Sequence, residues 1–422
     1  MRFKLHSETF EKCNIFQRSH CVVLLAIILI SLSSPVVSLA AKFNIKPKVS
    51  ASWRVDTNYY RAEATESERE VETYLIQPGI ELGIETAKSE LLLDYTLDAY
   101  YYDDRDTVPP GRRASDENDY VGHTGILKAG YRPFDRVLLG LENHLYKTRD
   151  PAYSDTLSNA VDREKYVINR LTPMILYEFG PKFSIGLRYR NTETNYSRTS
   201  LEDSSEHRGI FDMIYNFTRT ATVDLEYHYW KRDYDRTTSD YTSDQLMLIC
   251  RKQFKSLVFE AGGGYQDRNF DDSTVEDIDT FTYRIAITGH TPPESGTPRS
   301  HISLAAELNL NDQGLGEEYY KAHRVSLTAG RRFLEKLLVS ITGYYQKSDY
   351  ENTTGLTPEG TIETRDDDTY DISGRIGYMF TDWLTLFITA GYEERDSNLA
   401  GHDYDNNYYI AKLQFGHRLG SK

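Results

Sequence analysis

The chain is written in period two. From Glu90 to Tyr102, Leu91, Leu93, Tyr95, Leu97, Ala99 and Tyr101 share one face. Asp94, Thr96, Asp98, Tyr100 and Tyr102 share the other, with Leu92 as the exception. Alternation of this kind marks a β-strand, because successive side chains point to opposite faces. It recurs over residues 137–145, 183–189, 223–229, 281–287, 302–310 and 370–380. These seven stretches place 34 positions on the apolar face, none of them Asp, Glu, Lys or Arg, in a chain that is 27% charged. Chance would put about nine charges there. The interleaved positions carry Asp94, Asp98, Glu142, Arg188, Asp224, Glu226, Arg284, Glu307, Asp371 and Arg375. One face avoids charge as a lipid-facing surface must, and the other accepts it as a wetted surface does. A half-buried soluble sheet alternates in the same way, so the breaks between strands have to decide.

Those breaks alternate in length. Short ones fall at Thr86–Ser89, Arg132–Arg136, Gly180–Lys182, Thr218–Ala221, Phe254–Ser256, Phe333–Lys336 and Thr381–Trp383. Longer polar ones lie near 61–71, 103–118, 149–165, 195–207, 233–243, 268–279, 311–319, 349–368 and 396–406. The proline-bearing stretch His290–Ser300, with Pro292, Pro293 and Pro298, stands where a short turn is due. Eight turns and nine loops predict about eighteen strands. The expected fold is all-β: a transmembrane antiparallel up-and-down β-barrel with short periplasmic turns and long extracellular loops. An even strand number returns both ends to the periplasmic side. Aromatics sharpen this orientation. Phe134, Phe179, Phe183, Phe217, Phe254, Phe333, Phe380 and Trp383 sit at the short turns, and Tyr59/Tyr60, Tyr100–Tyr102, Tyr227/Tyr229/Trp230 and Tyr344/Tyr345 precede long loops. Two such rings match the girdles that a bilayer favours.

Composition changes the picture only at the N-terminus. Mean hydropathy is −0.58, as expected of strands that average apolar and polar residues, and 33 tyrosines suit strands and membrane boundaries. Residues 1–40 read as a signal peptide: Arg2, Lys4, Lys12 and Arg18 precede the apolar run Cys21–Leu32, and Ser38-Leu39-Ala40 offers cleavage before Ala41. That leaves one barrel domain over 41–422, located in a bacterial outer membrane of the Gram-negative type. Cleavage takes the net charge from −15 to about −17, which argues against nucleic-acid binding through phosphates. It also leaves Cys250 without a partner, so neither an internal disulfide nor a cysteine-rich zinc site is expected.

Catalytic chemistry finds little to stand on. His144 and His228 each have a glutamate two residues away, Glu142 and Glu226, but no activated nucleophile accompanies them. No enzyme, cofactor or metal site is expected. Gly262-Gly263-Gly264 opens no helix and reads as a bend or a close strand approach. The acidic loop clusters Glu63/Glu66/Glu68/Glu70, Asp103/Asp104/Asp106, Asp271/Asp272/Glu276/Asp277 and Asp366–Asp368 read mainly as solvated charge. As a minor alternative they would share divalent cations with lipopolysaccharide. Function is expected in the lumen, since eighteen strands enclose more space than side chains fill. The pore-lining candidates are Asp94, Asp98, Glu142, Arg188, Arg190, Asp224, Glu226, Arg232, Arg284 and Arg375, a mixture of both signs that names no permeant. Inward Tyr100, Tyr102 and Trp230 are candidates for stacking on sugar rings or for packing.

Three stretches carry a family resemblance. The opening Phe43-Asn44-Ile45-Lys46-Pro47-Lys48-Val49 followed by Asp56-Thr57-Asn58-Tyr59, the turn Gly130–Arg136, and the last strand Asn407–Leu419 resemble the putative β-barrel porin 2 family. The resemblance implies an outer-membrane, porin-like channel linked in many bacteria to exopolysaccharide export, with exopolysaccharide and export machinery as partners beside the surrounding lipid and lipopolysaccharide. The alternative is a closed structural or surface-binding barrel whose acidic loops engage polysaccharide or cations. The chain departs from outer-membrane barrels generally in ending Leu419-Gly420-Ser421-Lys422 rather than on an aromatic residue.

Overall fold

The structure, a computed structural model, describes residues 41–416 and 419–420, apart from 64–67, 110–111, 113, 154, 156, 159–163, 199–200, 292–298 and 312–318. The signal-peptide reading of residues 1–40 and the prolines of 292–298 lie outside the described residues.

Eighteen long strands follow one another along the chain. They are β1 (Lys42–Asp56), β2 (Val71–Glu85), β3 (Ser89–Asp104), β4 (Tyr120–Phe134), β5 (Val137–Thr148), β6 (Tyr166–Glu178), β7 (Phe183–Tyr196), β8 (Ser204–Thr218) and β9 (Ala221–Tyr234). The second half comprises β10 (Tyr241–Gln253), β11 (Leu257–Phe270), β12 (Ile278–His290), β13 (Ser300–Leu310), β14 (Lys321–Phe333), β15 (Leu337–Leu356), β16 (Ile362–Thr381), β17 (Leu384–Ser397) and β18 (Tyr404–Gly416). Each pairs antiparallel with its sequence neighbours. β1 closes the ring on β18, from Lys48 opposite Gly416 to Asp56 opposite Tyr408. Leu419–Gly420 continues that pairing in register, opposite Ile45 and Asn44. The closed eighteen-strand antiparallel barrel expected from the sequence is therefore the fold. Closure is what satisfies every strand edge without water.

Register explains why the two faces stay separate all the way round. Antiparallel partners lie on the same side of the sheet. One inward row runs Asp94, Ile126, His144, Arg170, Thr192, Glu206, Arg232, Tyr241, Phe270 across β3 to β11. The outward rows hold Leu93, Leu97, Ile175, Leu187, Leu246, Ile285, Ile341 and Ile388, all exposed. At the short-turn end, Phe134 is 71% exposed, and Phe179, Phe217, Phe254, Phe380 and Trp383 are exposed with it.

Three expectations are corrected. The loop expected near 349–368 is a hairpin: β15 and β16 run on as a ribbon past a bulge between Asp349 and Thr354. The five residues Thr357–Thr361 close it, with Thr357 N–H donating to the Thr361 carbonyl at 2.8 Å. Threonines and the cross-strand pair Leu356–Ile362 favour a strand over a loop there. The tyrosine ring at the long-loop end divides by parity. Tyr101, Tyr227, Tyr229 and Tyr345 are exposed outward, whereas Tyr59, Tyr102 and Trp230 are buried inside. Finally, Leu308 and Leu310, expected on the outer face, are buried, and Leu310 packs with Trp230, Tyr241, Phe270 and Ile278.

Gly264 shows why the triple glycine sits in β11. A Cβ there would fall 2.1 Å from the Leu246 carbonyl oxygen of β10. The reading of this segment as a close strand approach holds.

Candidate functional site: a vestibule inside the long-loop end

A cavity of about 590 Å³ opens inside the barrel between β1–β5 and β15–β18. Its walls take alternate residues from each strand: Ser52, Arg54 and Asp56 of β1, Tyr100 and Tyr102 of β3, Asp371, Ser373 and Arg375 of β16, and Tyr408, Ile410, Lys412 and Gln414 of β18. That alternation fixes which parity faces the lumen, and register carries it round the barrel.

Ion pairs tie the vestibule wall together. Arg54 grips Asp56 with two hydrogen bonds of 2.6 Å and lies over the Tyr408 ring, 4.7 Å from its centroid. Asp56 also accepts from Asn406 Nδ2 at 2.9 Å, and the Asn406 side chain takes the Asn58 N–H at 3.0 Å. This interlock welds the β1–β2 loop to the barrel seam. Arg61, from that loop, donates to Glu393 at 2.9 Å, and the Tyr404 hydroxyl donates to the same carboxylate at 2.9 Å. Burial disfavours the Arg61 charge, yet the Glu393 carboxylate beside it raises its pKa above the ordinary value. Charge-assisted pairs at this burial hold a fixed geometry. On the aromatic side, Tyr100 stacks on Tyr120 at 4.7 Å and Tyr59 packs against Tyr102 at 5.6 Å.

A loop crosses the lumen. The segment between β5 and β6 leaves the wall at Thr148 and brings Leu157 into a buried cluster with Tyr320, Ala322 and Tyr350 near β14 and β15. The Tyr320 hydroxyl donates to the Leu157 carbonyl at 2.7 Å and Gln346 Nε2 donates to it at 2.8 Å. Eight strands lie between β5 and β14 in either direction round an eighteen-strand ring, so this contact spans the interior.

The pore-lining candidates all share the inward parity, but most are engaged in wall networks. Asp94 pairs with Lys48; Asp98 accepts from Gln77 at 2.8 Å and Thr124 at 2.9 Å. Glu142 lies 3.5 Å from Lys128 and 3.8 Å from His144. Arg188 holds Asp212 with two bonds of 3.0 and 2.7 Å. Arg190 and Arg232 converge with Arg208 on Glu206, which is 1% exposed. Glu226 lies 3.5 Å from His228, and Arg284 pairs with Glu260 at 2.6 Å. Arg375 alone of the ten lines the vestibule, donating to Thr389 at 3.2 Å. Asp224 lies buried in the β9 wall. Of the three aromatics, Tyr100 and Tyr102 line the vestibule, while Trp230 is packed beneath Arg208, 4.0 Å from its centroid.

Sequence reasoning did not single out Arg54, Arg61, Glu393 and Lys412, charged residues that line the cavity. Parity would have found Arg54 and Lys412, which alternate with Val55 and Ala411. Nothing local marks Arg61, whose position depends on a loop folding over the mouth.

Among solved structures, one barrel superposes at the level of the fold. The chain superposes on the crystal structure of Pseudomonas aeruginosa OccK7 (OpdD) with a TM-score of 0.50 at 9% identity, covering 90% of this chain and 100% of that one. Acinetobacter baumannii OccAB2 follows at 0.48 and 11% identity, covering 90% and 98%. The Pseudomonas aeruginosa outer membrane protein opdK gives 0.46 and 11%, covering 89% and 99%. No curated protein sequence matches the chain. The opening strand and the Gly130–Arg136 turn lie outside the stretch that a family model matches, whereas the last strand lies mostly within it. Residues 255–417, from the turn before β11 through β18, match the family described as putative beta-barrel porin 2.

Proposed function

We propose that this chain is an outer-membrane channel for small polar solutes, saccharides among them, narrowed at its extracellular mouth by the β5–β6 loop. The observation that carries this reading is the contact of Leu157 with Tyr320 and Gln346 across an otherwise wide barrel. Barrels of sixteen to eighteen strands leave an aqueous channel, and a loop folded inward sets its narrowest section. Membrane placement is supported by the exposed apolar rows, which lipid would cover, and by the exposed aromatics at the short-turn end. The N-terminal forty residues supply the export signal, and the long loops then face outward.

The cargo reading rests on the vestibule's chemistry. Tyr100, Tyr120 and Tyr408 line the cavity together with Arg54, Arg375, Lys412, Asp371 and Glu393. Rings next to hydrogen-bonding groups of both signs suit polyhydroxylated solutes, and a place in exopolysaccharide export extends that reading. No catalytic step is assigned: His144 and His228 lie 3.8 and 3.5 Å from Glu142 and Glu226 in the wall, with no activated nucleophile beside them among the described residues.

Liposome swelling tests the proposal. Vesicles carrying the purified protein should swell in monosaccharides and small oligosaccharides, with rates falling steeply as solute size grows. Vesicles that stay shut to every solute would favour the closed, surface-binding barrel instead.

A further inference from the structure

Asp212 of β8 faces Glu226 of β9 directly, and Asp224 lies two residues from Glu226 on the same inward face of β9, opposite Ile214. One carboxylate oxygen from each comes within 4.8 Å of the other two. Asp212 and Asp224 are buried, Asp224 at 8% exposure, and Asp224 Oδ1 has no hydrogen-bond partner among the described residues. A buried carboxylate oxygen left without a donor is costly, and something must compensate it.

The cations nearby already have partners, and none hydrogen-bonds Asp224 Oδ1. Arg188 holds Asp212 through Nε and Nη2. Arg251 and Arg284 both close on Glu260, at 2.7 and 2.6 Å. His228 reaches only Glu226, at 3.5 Å. Gly186 stands opposite Asp212, and a Cβ there would come within 3.0 Å of Asp212 Oδ2, so the glycine makes room for the Asp212 carboxylate itself.

We infer that Asp212, Asp224 and Glu226 bind a hard divalent cation of the calcium type in the barrel wall. Calcium takes oxygen ligands at about 2.3–2.6 Å, so oxygens up to roughly 5 Å apart can share one ion. Each carboxylate oxygen has two lone pairs, which lets Asp212 ligate the ion while still accepting from Arg188. Water from the lumen completes the coordination shell. The bound ion neutralises the acidic row and stiffens the β8–β9 wall.

Isothermal titration of the folded protein in detergent with calcium chloride tests this. Wild type should bind one calcium ion more per barrel than either Asp224→Asn or Glu226→Gln. Heat-modifiable gel mobility shows which variants are folded, and two independent variants keep the comparison available if one is lost. Equal stoichiometry in wild type and a folded variant would place any bound calcium on the acidic loops and overturn the site. Absence of binding to wild type at millimolar calcium would overturn it as well.

Discussion

At the scale of single residues, the wall is a set of closed charge accounts, and Glu206 is the sharpest case. It is 1% exposed and receives Arg190, Arg208 and Arg232. Those three guanidinium groups converge on its carboxylate and compensate the charge at this burial. Glu206→Ala leaves three inward guanidinium groups without their acceptor and should lower stability by about 3–5 kcal/mol, read as a shift in the midpoint of denaturant unfolding in detergent. The outer face should answer differently. Leu187 is exposed on the outward row of β7, between Ile175 and Phe211. Leu187→Arg should cost about 2–4 kcal/mol when the barrel is folded into bilayers and much less in a detergent micelle that adapts to it. An equal, small cost in both media would argue that this face does not meet lipid.

At the scale of elements, loops decide what the barrel does. Tyr320→Phe combined with Gln346→Ala removes two hydrogen bonds from the Leu157 carbonyl, each worth about 1 kcal/mol. Single-channel conductance should rise and become noisier, while heat-modifiable mobility should not change. A second loop contact is acid-sensitive. Glu202, between β7 and β8, accepts from the backbone and hydroxyl of Thr237 and from the backbone of Thr238, between β9 and β10. Partial burial works against the charge, but these hydrogen bonds outweigh it and lower the Glu202 pKa from 4.5 to about 2. A depressed carboxylate contributes its stabilisation above the unfolded pKa and loses it as pH falls through the folded one. The clasp should therefore hold at pH 5 and open progressively from pH 4.5 towards 2, seen as new pepsin cleavage within the two loops at the acid end.

At the scale of the whole molecule, architecture was legible and the site was not. Strand faces followed from the alternation at Leu91–Tyr101 and its repeats, and strand number and order from the alternating short and long breaks. The 349–368 segment misled because Asp349, Glu351 and Asp366–Asp368 look like solvated loop residues, and a ribbon standing clear of the bilayer is equally polar. The inward candidates were on the correct face but in the wrong company. Period two shows that Arg190 and Arg232 point inward; it cannot show that both end on Glu206, since that depends on cross-strand register. The β5–β6 loop was beyond reach for the same reason, its anchors lying 163 and 189 residues from Leu157. Together, we propose, these parts form an open, narrowed channel. Recording current through the purified protein in a planar bilayer tests it most directly. Discrete, stepwise openings that persist at low voltage are predicted, whereas a membrane that stays insulating after confirmed insertion would contradict it.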